Sequence, residues 1–322
     1  MAAIETTELR KEYGDFVAVD DLTLQIEEGE IFGFLGPNGA GKSTTINMLL
    51  DYTRPTDGSV TVLGYDAQTE AREIHKRVGI LPDGFGLYDR LSGRKHLEFA
   101  IRAKRASDDP EALLARVGLD SDDADRKTGG YSKGMKQRLA MGMALVGDPD
   151  VLIMDEPSSG LDPTGISEMQ ELVQNEARQG TTVFFSSHIL DHVETVCDRV
   201  GILSDGELVT VDTIDGLRRE IGGESTVTLT LDTMPASALD GVSDVDGVAD
   251  VTCRGTMLDI ICTDPVAKAT AISRIQRTEA TVLNVRIEER SLESLFAELT
   301  GTRPSNHDRR NPESDERREV TA

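Results

Sequence analysis

No apolar run in this 322-residue chain approaches the roughly eighteen residues that a helix needs to span a bilayer, so no membrane segment is expected within it. The opening MAAIETTELRKEY lacks a basic region followed by an apolar one, which argues against a signal peptide. The 3 cysteines, Cys197, Cys253 and Cys262, show no Cys-x-x-Cys spacing and no partnering histidines. A structural metal site or a disulfide framework is thereby disfavoured, and the thiols read as small buried hydrophobes in a reducing compartment. Internal repeats and low-complexity linkers are also absent.

Positive charge is the other shortage. Against 58 acidic residues stand 34 lysines and arginines, mostly arginine, for a net charge of −24. Such a surface repels nucleic acid and anionic lipid headgroups, so no nucleic-acid partner is expected. It is tolerated where concentrated salt screens the self-repulsion, and a halophilic source is the expectation; an acidic protein of ordinary salt is the alternative. The hydrophobic content of 38% is that of a folded protein, and the length allows one large domain or two.

What the chain does contain is organised in two textures. Its first half alternates apolar strand-like runs with helical stretches, the pattern of an α/β domain with a mainly parallel sheet. EIFGFL (30–35), VLIMDE (151–156) and TTVFFSS (181–187) read as buried strands, and KSTTINMLL (42–50) as a helix. RKHLEFAIRAKR and PEALLARVGL are helix-like and charged, which marks about 90–145 as a helical subdomain. RVGILSDGELV (199–209) reads as a hairpin turning at Asp205-Gly206. Beyond RREIGGES, strands and helices, the first helix at PASALDG, alternate in the order β-α-β-β-α-β, which predicts a small ferredoxin-like α+β domain over about 225–300. It ends in an amphipathic helix with Leu292, Leu295, Phe296 and Leu299 on one face. From 302 to 322 there is almost no apolar residue, and a disordered tail is expected.

The strongest local signal is GPNGAGKST (36–44), which fits G-x-x-x-x-G-K-[ST] between a strand and a helix. Gly36, Gly39 and Gly41, with Pro37, Asn38 and Ala40 between them, can fold into a nest of amides aimed at phosphate, ahead of the positive end of a helix. Lys42 can reach the β- and γ-oxygens of ATP, and the Ser43 hydroxyl, followed by Thr44, can ligate Mg2+. VLIMDE supplies the second half. Asp155 at its end suits magnesium through the water shell, and Glu156 can polarise a water aimed at the γ-phosphate. A second helix-opening anion corner stands at YSKGMKQRL (131–139), where Ser132 and Gly134 face outward.

In this order the cradle, YSKGMKQRL, VLIMDE, SSGLD (158–162) and His188 resemble the nucleotide-binding subunit of an ATP-binding cassette (ABC) transporter over residues 1–220 or so. The resemblance implies a P-loop core of the ABC ATPase type, working as two ATPase subunits head to tail, a homodimer or a paired subunit. Each ATP then lies between one cradle and the other subunit's Ser132–Gly134 corner. It also implies that Tyr13 stacks on adenine, Asp162 crosses the interface, and His188 contacts the γ-phosphate. Two departures stand out. Asp83 occupies the place of a usual glutamine or glutamate and is expected near the metal, and YSKGM replaces the commoner LSGGQ.

The pore is implied to be a separately encoded permease, with this subunit at the cytoplasmic face of the membrane. Phe85, Leu87 and Tyr88 either form part of the permease seat or pack inside the subdomain. ERSLESLFAELTG resembles the export group handling drugs, antibiotics, lipids, polysaccharide or sodium. The rival reading is a soluble ABC-type ATPase acting on ribosomes or DNA.

Overall fold

The chain opens as a long hairpin, β1 (Ala2–Tyr13) and β2 (Phe16–Glu27), turning at Gly14-Asp15. β3 (Ile31–Leu35) leads through the glycine-rich loop into α1 (Lys42–Leu49), followed by β4 (Asp57–Val62), β5 (Tyr65–Asp66), α2 (Ala71–Arg77) and β6 (Val78–Leu81). Four helices without strands come next: α3 (Gly93–Lys104), α4 (Pro110–Arg116), α5 (Ser121–Ala124) and α6 (Lys133–Ala144). The alternation then resumes with β7 (Val151–Met154), α7 (Pro163–Arg178), β8 (Thr182–Ser187), α8 (Leu190–Glu194), the hairpin β9 (Arg199–Ser204) and β10 (Glu207–Thr213), and α9 (Ile214–Glu220). This computed structural model describes residues 1–220, 225–234, 238–289 and 292–301. The expected tail at 302–322 and the first part of the expected helix PASALDG, 235–237, lie outside the described residues.

Two sheets share a core. The six-stranded sheet has the order β10-β9-β3-β8-β7-β6, parallel except for β10. Its inner strands β3, β7 and β8 are buried on both faces because both faces are covered there. Phe32 and Phe34 of β3, Ile153 of β7 and Phe184 of β8 point to the layer shared with the hairpin sheet, while Leu35, Leu152, Met154 and Phe185 point toward the helices. Phe32 and Phe184 stack with ring centroids 6.0 Å apart, each ring burial worth roughly 2–3 kcal/mol.

The second sheet, β2-β1-β4-β5, is antiparallel and was not foreseen. β1 carries charges at irregular spacing, and its register against β2 shifts repeatedly through bulges, so a period-2 pattern is broken.

The C-terminal part contains β11 (Ser225–Leu231), α10 (Ala238–Ser243), β12 (Val248–Arg254), β13 (Met257–Cys262), α11 (Pro265–Gln276) and β14 (Val282–Glu289). Its antiparallel sheet runs β12-β13-β11-β14, the strand order of a split β-α-β unit. Val227, Leu229, Leu258, Ile260 and Ile275 fill its own core. The last helix, α12 (Leu292–Leu299), leaves that core and returns to α8 and β9, where Leu292, Leu295, Phe296 and Leu299 join the main core. The cysteines are free; Cys262 is fully buried, while Cys197 and Cys253 are partly buried and pack against the main and C-terminal cores.

Candidate functional site

Parallel pairing decides where the site lies. β3, β8, β7 and β6 run side by side, so their carboxyl ends deliver Gly36, His188, Asp155 and Asp83 to one edge of the sheet. The strands stay zipped one step further, with Gly36 N–H donating to Ser187 O at 3.1 Å and Asp155 N–H to Leu81 O at 2.8 Å.

The loop at Gly36–Gly41 can close only with glycine at two positions. At Gly36 a side chain would meet the Leu203 carbonyl oxygen at 2.4 Å, and at Gly41, which holds φ of 107°, the Ala18 oxygen at 2.5 Å. Ala40 is buried at the base, whereas Asn38 and Gly39 are exposed at the tip. Lys42 opens α1 and bends back, donating to Gly36 O at 2.6 Å and Pro37 O at 3.2 Å. Its ammonium, on a side chain 6% exposed, also lies 3.3 Å from Glu156 Oε1. The cation is thus buried among two backbone oxygens and one carboxylate, the kind of pairing a buried charge requires. Ser43 is exposed and Thr44 half-buried beside it.

Glu156 is gripped from several sides. His188 Nδ1 is 2.8 Å from its Oε2. Its N–H donates to Ser186 Oγ at 3.0 Å, and the same hydroxyl donates to Asp155 Oδ1 at 2.5 Å. The backbone of Glu156 is left-handed, with φ of 48°, a conformation costing about 1–3 kcal/mol that persists only where the surroundings impose it. Its Oε1 is buried and makes no hydrogen bond; the Lys42 contact is ionic but misaligned.

Magnesium fits this donor set in a particular way. Among the described residues no group of three His, Cys, Asp or Glu side chains could cage a metal. Mg2+ seldom uses such cages, taking one or two carboxylates with waters and substrate phosphates. The buried Asp155 and the exposed Ser43 hydroxyl are donors of that kind, and Asp83 lines the same cavity as Asp155.

Asp83 joins Asp155 and Glu156 in lining a cavity of about 190 Å³, with Lys133, Lys136, Gln137 and Ser159 on its other walls. The remaining expected residues stand apart. Ser132 caps α6, accepting from Met135 N–H at 3.2 Å, and with Gly134 it does not line that cavity. Asp162 caps α7 through Gly165 N–H at 3.1 Å. Tyr13 ends β1, 52% exposed, with the Lys11 ammonium 4.9 Å from its ring. Phe85 and Leu87 pack against the main core, as the second of the two expectations had it, whereas Tyr88 is 70% exposed and stacks beside His96.

Sequence reasoning missed Ser186, which bridges both acids. A polar residue inside an otherwise apolar, fully buried strand end was the available signal. It also missed Gln137, whose amide donates to Pro157 O at 2.7 Å and ties α6 to the loop after Glu156. The contact of Ser158 with His192 had no sequence signal at all.

A family model described as ABC transporter matches residues 19–159. The linearmycin resistance ATP-binding protein LnrL of Bacillus subtilis (strain 168) is 33% identical, with 92% of this chain and 98% of that protein covered. The daunorubicin resistance ATP-binding protein DrrA3 of Streptomyces coeruleorubidus is 33% identical over 93% of this chain and 96% of its own length. The bacitracin transport ATP-binding protein BcrA of Bacillus licheniformis is 40% identical, covering 67% of this chain and 71% of that one. Among solved structures, an ATP binding subunit of an ABC transporter superposes with a TM-score of 0.62 at 30% identity, over 68% of this chain and 92% of that chain. A dimeric bacterial ABC transporter cassette gives 0.60 at 25% identity, over 66% and 98%.

Proposed function

This chain belongs to the ABC transporter family as an ATP-binding, ATP-hydrolysing subunit of the exporter type, and we propose from that premise that it drives export by ATP-dependent closure of two such subunits beneath a separately encoded permease. The observation that carries the reading is Glu156, wedged between Lys42 and His188 with one carboxylate oxygen free of hydrogen bonds.

In this reading residues 1–220, with the helical subdomain at about 90–145, form the ATPase unit, and 225–300 form an accessory unit. The nest Gly36–Thr44 binds the phosphates while Lys42 leaves Glu156 for the β- and γ-oxygens. Glu156 then accepts from the attacking water, and His188, anchored by its Nδ1, presents the other ring nitrogen toward the γ-phosphate. Ser43 and Asp155 would hold Mg2+, with Asp83 in the same cavity as Asp155, and the ion would supply charge neutralisation at the phosphate oxygens.

Tyr13, exposed at the end of β1 with the Lys11 ammonium over its ring, is the residue that stacks on adenine in this reading. Ser132 and Gly134, at the outward N-terminus of α6, close on the nucleotide of the opposite subunit, as does the loop capped by Asp162. No described helix is long and apolar enough to cross a membrane, so the pore and the peripheral location at the cytoplasmic face come with the permease. The acidic surface fits work in concentrated salt, a halophilic setting.

The test is Glu156→Gln with Mg-ATP. It is expected to bind nucleotide, lose turnover about a hundredfold or more, and sediment as a dimer. Adding Ser132→Ala to that variant is expected to weaken dimerisation while leaving nucleotide binding by the monomer intact. A Glu156→Gln protein that hydrolyses at the parental rate, or stays single with Mg-ATP and with its permease, refutes the shared-site reading.

A further inference from the structure

His192 takes no part in the site described above, yet it is tied to that site from two sides. Its Nδ1 lies 2.7 Å from the hydroxyl of Ser158, a side chain only 5% exposed. Burial lowers the pKa of the ring, with Asp191 opposing and the neighbouring His188 reinforcing the shift. In the tautomer that carries its proton on Nε2, Nδ1 accepts the proton of the Ser158 hydroxyl.

Behind the ring, Gln170 Nε2 donates to the His192 carbonyl at 3.2 Å and to Thr195 Oγ1 at 2.7 Å. Gln170 belongs to α7, the helix capped by Asp162 at the end of the 158–162 loop. Two side-chain rungs therefore join the same pair of segments. Glu156 meets His188 at 2.8 Å, and Ser158 meets His192 at 2.7 Å.

The two histidines are four positions apart, separated by the start of the single-turn α8, whose Leu190 and Val193 are buried. Arg218 of α9 pairs with Glu194 at the other end of this helix. A packed turn of that length moves as a unit, because shifting one end alone would break its buried contacts.

We propose that His192 is a positioning residue that couples the 158–162 loop to His188, so that displacement of this loop by the opposite subunit re-aims the His188 ring at the nucleotide. The coupling rests on the shared-site dimer proposed above, and its test separates the two.

The chain has 5 histidines, so their ring signals can be assigned by substitution and followed by NMR in the protein without nucleotide. Ser158→Ala is expected to move the signals of both His192 and His188. In full-length protein with its permease, His192→Ala is expected to lower kcat about tenfold with KM for ATP unchanged. His192→Asn, which places an acceptor where Nδ1 stood, is expected to restore kcat to within about threefold. The Ser158→Ala/His192→Ala double variant is expected to be no worse than either single one.

A Ser158→Ala spectrum in which His192 moves and His188 stays overturns the coupling, and so do fully multiplicative single effects. If Glu156→Gln still dimerises with Mg-ATP while these tests fail, the coupling alone is wrong. If Glu156→Gln stays single, the dimer reading falls first.

Discussion

Replacing Ser186 by alanine removes one hydroxyl and almost no volume from a fully buried strand. That hydroxyl donates to Asp155 at 2.5 Å and accepts from the Glu156 N–H at 3.0 Å. A hydrogen bond to a charged group contributes about 1.5–3 kcal/mol, and a buried amide left without an acceptor costs about 1–3 kcal/mol. Relaxation of the left-handed backbone at Glu156 returns part of this, since the strain was held in place by the same contacts. The net expectation is a loss of about 3 kcal/mol.

For the ATPase unit that corresponds to a fall of roughly 6–12 °C in Tm. Turnover is expected to fall about tenfold or more beyond any loss of folded protein, because Asp155 loses its donor and Glu156 its anchor together. Ser186→Cys, with similar shape and a weak donor, is expected to fall between alanine and the parent. Thermal melts with and without Mg-ATP, and initial rates below the lowest melting temperature, give both numbers. A Ser186→Ala protein within about 0.5 kcal/mol of the parent and at parental kcat would refute the bridge as a support of either acid.

Two further outcomes follow from charge. Arg116 donates to both oxygens of Glu176, at 2.8 and 2.6 Å, and to Asp148 at 2.6 Å, and these bonds hold its pKa above the ordinary arginine value. Arg116→Ala strands the fully buried Glu176 and is expected to cost about 3–5 kcal/mol, read by urea unfolding, whereas Glu176→Gln is expected to cost less. Melting in a KCl series is expected to show Tm rising from low to molar salt, as the self-repulsion of the −24 charge is screened; a flat or falling profile rules out salt adaptation.

The parts of the fold that could be read from sequence are those where one physical signal dominates. β3, β7 and β8 are apolar on both faces and end abruptly in Gly36, Asp155 and Ser187-His188, so both strand and site edge were legible. The phosphate loop was legible because close packing against Ala18 and Leu203 admits only glycine at Gly41 and Gly36. β1 was not, since bulges and surface charges break its alternation, and in β2 the alternating run Leu22–Glu27 is preceded by the irregular stretch 16–21. The Ser186 bridge and the Ser158–His192 contact depend on strands and loops 30 and 34 positions apart in sequence meeting at the sheet edge, which no local pattern encodes. Partition of Phe85, Leu87 and Tyr88 between core and surface was likewise decided by tertiary packing.

A chain with this acidic excess has to attract a polyanion, and the arrangement of its few cations explains how it can. Beyond roughly 10 Å at 0.1 M salt, exposed carboxylates are screened and contribute little to the potential at the nucleotide. What counts is the near field. Lys42 is nearly buried, where its charge is felt most strongly, and the amides of the Gly36–Gly41 nest and the N-terminus of α1 point the same way. Lys133 and Lys136 line the cavity that holds Asp83, Asp155 and Glu156, so the acids there face cations rather than one another alone. Lys136 also lies 3.6 Å from Asp89 at the cavity's outer side. On the proposed reading, the global charge governs solubility and salt response, while binding rests on the buried Lys42 and the backbone nest beside it. Raising salt should therefore stabilise the fold long before it weakens nucleotide binding, and an affinity for Mg-ATP that collapsed in step with ionic strength would mean that the exposed lysines, rather than the buried Lys42 and the backbone nest, hold the ligand.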